Sequence, residues 1–419
     1  TGPGKFRSTV SGANKSMEYV MKQNCVICSA VISELFSLGL QPMANKYPPP
    51  KLPKKSEWKQ DLKAYYCEKC LYIHVACNVD RSMFFEEYYY LSSVNKELVN
   101  HFEQLSHMIA DTNPALVVDI GSNDGNLLSN FKDDFKVLGI TPEKIGKLAI
   151  KKGISTLLKY FNLNTSKYVL KKFGKAKIIT ATNVFAHIDN LNEIMIGIKN
   201  CLDKDGIFIS ESHYLIPLLK SVQYDTIYHE HLRYYSLNSL NFLFNKYKLE
   251  IFDAKEIKSH GGSIRVYCAR KGKYKIRMSV NKILKQEKKY FNEKEFSRFN
   301  SNVLKSKLNL LKILSEIKNK GANVAGISAP SRAATLINYV GIDHNILNCI
   351  FEIKGSYKIN SFMPGTLIPV VEEKINMLKK NDYLLLLSWH IYKELITNLK
   401  RKGYKGKFII PLPYPKIIN

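Results

Sequence analysis

At 419 residues, 45% of them hydrophobic, the chain is long enough for two or three domains with sizeable cores. It holds no run of about 18 apolar residues, which excludes a transmembrane helix. The net charge of +27 comes from lysines scattered along the chain. Such scatter argues against a dedicated nucleic-acid arm, while a basic surface still favours anionic small molecules.

Residues 1–16 are rich in Gly, Ser, Thr and Lys and lack an apolar centre. They are expected to be a flexible leader and not a secretory signal, which implies a reducing, cytoplasmic setting without disulfides. Of eight cysteines, four form the pairs Cys25-x-x-Cys28 and Cys67-x-x-Cys70. Each turn offers two thiolates, and two such turns close a tetrahedral zinc site with no open position, so the metal would be structural. A redox dithiol is the rival reading, but two pairs favour metal. Cys77, Cys201, Cys268 and Cys349 read as ordinary buried thiols. The span between the pairs carries Pro48-Pro49-Pro50 and Pro53, consistent with a surface excursion. This zinc-binding N-terminal module is placed at 17–100. Near its end, three consecutive tyrosines, Tyr88 to Tyr90, cannot all face one core, so at least one addresses solvent or a ligand. An amphipathic helix is expected over 94–109.

Residues 101–270 alternate strands and helices, the signature of a mostly parallel sheet. An apolar strand ends in Asp119; a tight turn then carries Gly121, Asn123, Asp124 and Gly125, and a helix should follow. Ligands of doubly wound sheets sit at such carboxyl ends. Further strands are expected at 137–140, 178–183 and 207–211. His187 falls just past a strand end, and His260-Gly261-Gly262 marks a turn before another strand. Tyr228-His229-Glu230-His231 packs a phenol, two imidazoles and a carboxylate into four residues. An imidazole is a natural general base near neutral pH, and a phenol beside it can stabilise an oxyanion. A polar helix start is the bland reading of the same tetrapeptide.

Residues 271–419 begin with a helical bridge over 279–320. A strand over 323–328 then leads into the small-residue loop Gly326 to Thr335. A strand, such a loop and a helix suit a phosphate on the helix N-terminus, with Ser328 in the loop and Arg332 adding a charged contact. Strands at 349–353, 383–388 and 408–411 complete a second Rossmann-like unit.

Taken together, the two Cys-x-x-Cys pairs, Asp119-Ile-Gly-Ser-Asn-Asp-Gly125, Asn183-Val-Phe-Ala-His-Ile188, Tyr228-His-Glu-His231, His260-Gly-Gly262, the Gly326 to Thr335 loop and Pro364-Gly-Thr-Leu-Ile-Pro369 resemble the S-adenosylmethionine-dependent sugar C-methyltransferases, from about Cys25 to the C-terminus. The resemblance implies an α/β architecture: an N-terminal zinc-binding module, a central Rossmann-like methyltransferase domain and a C-terminal Rossmann-like domain. It implies S-adenosylmethionine and a structural Zn2+ as cofactors, and a nucleotide-linked 4-keto-6-deoxysugar methylated at C3 as substrate. Tyr88, His187, Tyr228, Glu230 and His231 would line the catalytic pocket, with His231 as the base. Asp119, Gly121, Asn123, Asp124, Gly125, Thr141 and Asn183 would hold the cofactor. Tyr90, His260, Gly261, Ser328 and Arg332 would meet the substrate. The chain departs from the family at Thr141, where an acidic residue usually grips the cofactor ribose, with Glu143 close enough to compensate, and at Lys159. A nucleic-acid methyltransferase with a zinc ribbon is the alternative; the second Rossmann-like unit argues against it, and the intact Tyr-His-Glu-His run argues against a decayed, non-catalytic module.

Overall fold

The computed structural model describes residues 24–50, 57–76, 96–110 and 115–419. The leader, Cys77, Tyr88 and Tyr90 lie outside the described residues. Strands β1 (Ser33–Pro42), β2 (Lys59–Cys67) and β3 (Tyr72–Val75) form an antiparallel meander that carries the two cysteine turns at its end.

The central sheet takes β4 (Leu116–Ile120), β5 (Lys136–Ile140), β6 (Thr156–Leu157), β7 (Ala176–Thr182) and β8 (Leu202–His213) as parallel strands. All five residues of β4 are buried, as expected of a strand covered on both faces. β9 (Arg233–Tyr234) leaves this sheet altogether and pairs antiparallel with β3, so the segment just after His231 is the fourth strand of the N-terminal module. β10 (Leu249–Ile257) and β11 (Ser263–Arg270) return antiparallel, giving the order β10-β11-β8-β7-β4-β5-β6.

The expected bridge is two helices, Met278–Tyr290 and Glu293–Asn319. The break falls at Asn292, whose side chain accepts the Glu295 N–H and restarts the helix. In the longer helix the buried residues Phe296, Phe299, Val303, Ser306, Leu310, Leu314 and Ile317 recur every three or four positions and form one stripe. The C-terminal unit is a second sheet of β12 (Val324–Ile327), β13 (Ile350–Glu352), β14 (Ser361–Phe362), β15 (Pro369–Glu372), β16 (Tyr383–Leu386), β17 (Lys407–Ile410) and β18 (Lys416–Ile418). Its order is β14-β15-β13-β12-β16-β17-β18, parallel at the centre with an antiparallel strand at each edge.

One expectation fails locally. After Gly125 there is no α-helix, only the 3-10 turn Leu128–Asn130. Ser129 and Asn130 turn their side chains onto the Asn126 and Leu127 carbonyls that a helix would use, while Leu127, Leu128 and Phe131 are buried.

Candidate active site

Three adjacent parallel strands, β7, β4 and β5, end side by side. From them emerge the Asp119 to Gly125 turn, Thr141 and Asn183. Gly121 (φ 77°), Asn123 (φ 50°), Gly125 (φ 76°) and Asn183 (φ 58°) all adopt left-handed backbone, which Gly and Asn tolerate best. At Gly121 the choice is also steric: a Cβ would lie 2.3 Å from the Val184 side chain. Asp119 is buried and accepts a 2.7 Å bond from the Thr180 hydroxyl; burial pushes its carboxyl up to about 7. Thr141 donates to the Glu143 carboxylate at 2.7 Å, which puts an acidic group beside position 141. Asp124 is buried, with the Lys152 ammonium 3.5 Å from its carboxylate.

The quartet lies immediately beyond this edge. Its tail is pinned to the segment after β7: Leu232 N–H bonds Ala186 O at 2.8 Å, and Tyr235 OH bonds Phe185 O at 3.1 Å. His187 and His231 therefore meet, their ring centres 4.6 Å apart. His187 Nδ1 donates to the Glu230 carbonyl at 2.8 Å, because a carbonyl can only accept. Tyr228 stacks on His231 at 4.2 Å, with its hydroxyl 2.9 Å from His231 Nε2. Burial, and then the imidazoles of His187 and His213, push the His231 pKa well below the ordinary histidine value. His231 is thus a neutral base at neutral pH. Glu230 points elsewhere: its Oε1 accepts the Asn45 N–H at 3.1 Å and ties the quartet to the N-terminal module. His229 is fully buried with its ring edge-on to Trp58.

Residues 90–253 match a family profile described as a methyltransferase domain, and residues 258–413 match one described as the C-methyltransferase C-terminal domain. C-methyltransferase NovU of Streptomyces niveus is 28% identical over 366 residues, spanning 84% of this chain and 86% of that protein. The chain is a methyltransferase, and its two matched domains together are like those of the C-methyltransferases. Among solved structures, PH0226 protein of Pyrococcus horikoshii OT3 is 13% identical and covers 43% of this methyltransferase and 95% of its own chain, with a TM-score of 0.35. A methyltransferase of Clostridium acetobutylicum ATCC 824, also 13% identical, covers 42% and 92%, with a TM-score of 0.33.

Around this centre the methyltransferase gathers residues that the motifs did not single out. His213, at the end of β8, brings its ring centre to 6.5 Å from that of His231. Glu211, two residues earlier on the same face, is buried between His101 (2.6 Å) and Arg265. Burial raises the Glu211 carboxyl, but these two partners outweigh it and hold it below the usual range. This cluster docks the helix Lys96–Ala110 against the sheet. His260 (φ 53°) stands at the bend before β11, and Gly261 O accepts the Gln223 amide at 2.8 Å. His260 thus comes near both His213 and His231. No helix among the described residues is long and apolar enough to cross a membrane.

Two expectations for the C-terminal unit are revised. Arg332 is not a free phosphate contact. Its guanidinium grips the fully buried Asp225 carboxylate with two 2.7 Å bonds, reaches His390 at 3.2 Å, and lies over Trp389 at 4.8 Å. Trp389 Nε1 bonds the same carboxylate at 2.7 Å. The loop carrying Ser328 (φ 68°) is likewise engaged: its Ala329 N–H donates to the Glu352 carboxylate at 2.8 Å, and Ser331 bonds Asn45. A carboxylate on the loop's own amide is the opposite of an anion cradle. Sequence had no signal for this, because Asp225 and Arg332 are 107 positions apart.

The four paired cysteines converge as expected. Cys25 and Cys70 sulfurs lie 3.5 Å apart, Cys28 and Cys67 3.4 Å, and all four fall within 4.8 Å of one another. Ser29 (φ 60°) and Leu71 (φ 56°), each just after the second cysteine of its pair, make the same left-handed exit from the turn. Four convergent thiols are a donor set for one soft metal ion.

Proposed function

We propose that this methyltransferase methylates the carbon beside a ketone on a nucleotide-linked deoxysugar, C3 next to a C4 ketone. The observation that carries the reading is the placement of the Tyr228–His231–His187 cluster directly against residues 183–187, which pack on the Gly121 turn. A carbon acid and a methyl donor could meet there.

S-adenosylmethionine, when bound, supplies an electrophilic methyl on a sulfonium. Residues suited to hold it are the left-handed turn Gly121 to Gly125, Asn183, and the Thr141–Glu143 pair as acceptor for ribose hydroxyls. His231 removes the proton, and the bonding pair stays on carbon as an enolate. The Tyr228 hydroxyl, already beside His231 Nε2, is the donor for the enolate oxygen. Glu230 positions the quartet from the N-terminal module and need not touch the sugar. His260 and Gly261 border the same cleft as substrate contacts, and Tyr88 and Tyr90 keep their roles as pocket residues of the family. The metal of the four-thiolate site is zinc, and its role is structural.

The test is mass spectrometry of products from S-adenosylmethionine and a panel of nucleoside-diphosphate 4-keto-6-deoxysugars. One added methyl on carbon is expected from the wild type, and none from a folded His231→Gln. Absence of product across the panel, or full turnover by His231→Gln, would overturn the assignment.

A further inference from the structure

Methyl transfer to carbon has a stoichiometric consequence. A neutral C–H acid and a sulfonium cation give a neutral methylated product and a neutral thioether, so one proton must leave per turnover. The C–H pair passes to carbon, carbon forms its new bond to the methyl, and the C–S pair stays on sulfur. The proton rests on His231, whose imidazole is walled in: Tyr228 covers one face and His187 approaches edge-on. Before the next cycle it needs a route to water.

We propose that His213 carries this proton from His231 outward to the partly exposed His260. Three observations converge on it. First, the His213 and His231 ring centres are 6.5 Å apart, close enough for one bridging water between ring nitrogens. Second, His231 Nδ1 and His213 Nε2 are both buried; the Thr226 backbone lies beside the His231 ring, and the Gln223 amide and His260 backbone lie beside that of His213, none of them in the geometry of a firm hydrogen bond to these two nitrogens. Third, the His213 ring lies against the backbone of His260 and the Gln223 amide, and His260 is only half-buried at a left-handed bend. The chain thus runs from the enclosed base through one imidazole to a second that is partly exposed.

The surrounding charges suit a relay. His231, His260 and Arg332 face His213, while Glu211 is already held by His101 and Arg265, and Asp225 by Arg332. Neither Glu211 nor Asp225 is thus free to trap the proton on His213. Burial, followed by His260 and Arg332, pushes the His213 pKa down to about 3, and burial also lowers His231 and His260. With all three shifted in the same direction, the proton is not stranded on one of them.

The inference rests on the carbon-acid reading, and the experiment separates the two. Wild type and the variants His213→Ala and His213→Gln are incubated in D2O with a nucleoside-diphosphate 4-keto-6-deoxysugar and S-adenosylhomocysteine. Deuterium entering the substrate is followed in dilute buffer, with and without added imidazole. Exchange by the wild type is the control: its failure would sink the carbon-acid reading itself. Given wild-type exchange, both variants should exchange about tenfold or more slowly. Imidazole should restore His213→Ala, whose cavity admits it, without altering the wild type. Melting temperature and S-adenosylhomocysteine affinity should not change. Unaltered exchange in both variants would overturn the relay. So would a slowed His213→Ala that imidazole leaves slow, since that is what a purely structural histidine would give.

Discussion

Replacing Asp225 by Ala isolates the contact between the two Rossmann-like halves. Its carboxylate is fully buried and takes 2.7 Å bonds from Arg332 Nε, Arg332 Nη2 and Trp389 Nε1. Truncation leaves a guanidinium buried without its counter-ion, which costs about 3–5 kcal/mol. It also orphans an indole N–H, at about 1–3 kcal/mol. Arg332 keeps its contact to His390 and its seat over Trp389, which offsets part of this. The expected net loss is about 4 kcal/mol. With only two tryptophans in the chain, a Trp58→Phe background makes Trp389 the sole indole reporter, and its emission can be followed through urea unfolding. The paired replacement Asp225→Leu with Arg332→Met removes both charges and should recover most of the loss. A cost below about 1 kcal/mol for Asp225→Ala, or a double variant as unstable as the single, would refute the argument. Activity should fall as well, because Asp225 lies three positions before Tyr228 and Thr335 ties the Ile227 carbonyl at 2.9 Å.

Three further outcomes are expected. Gly121→Ala combines a left-handed backbone with a Cβ 2.3 Å from Val184; S-adenosylmethionine affinity by calorimetry should fall at a cost of about 1–3 kcal/mol, and Val184→Ala in the same chain should restore part of it. The acid limb of kcat/KM should lie below the ordinary imidazole pKa of about 6.5. The sign follows because the neutral form of His231 is the base, and its lowered pKa keeps it neutral further into acid; a limb at or above 6.5 would exclude it. Cys67→Ser should reduce zinc measured by atomic emission, and lower both melting temperature and turnover, because β3 begins two residues after Cys70 and pairs with β9, which begins two residues after His231. A stable, active wild type free of zinc would end the metal assignment.

The cysteine knuckles, the Asp119 to Gly125 turn and the strand at 116–120 were legible in the sequence because each is local. Two thiolates three residues apart, glycines where φ is positive, and a fully apolar run all state their requirement within a few positions. The failure after Gly125 was local too, but it turned on Ser129 and Asn130 competing for carbonyls, which an apolar pattern does not register. The quartet was visible as a cluster of chemistry, but not its setting. That β9 crosses to the N-terminal sheet, that Glu230 faces Asn45, and that Arg332 is spent on Asp225 depend on pairings over 100 residues or more. His213 shows the difference most plainly. As a single histidine at the end of a strand it carries no signal, and only folding sets it beside His231. Residue type and near-neighbour spacing determined which reactive groups this chain owns. Which of them meet, and which are tied up by a partner, was decided by the packing of three sheets, since burial and distance are properties of the whole fold.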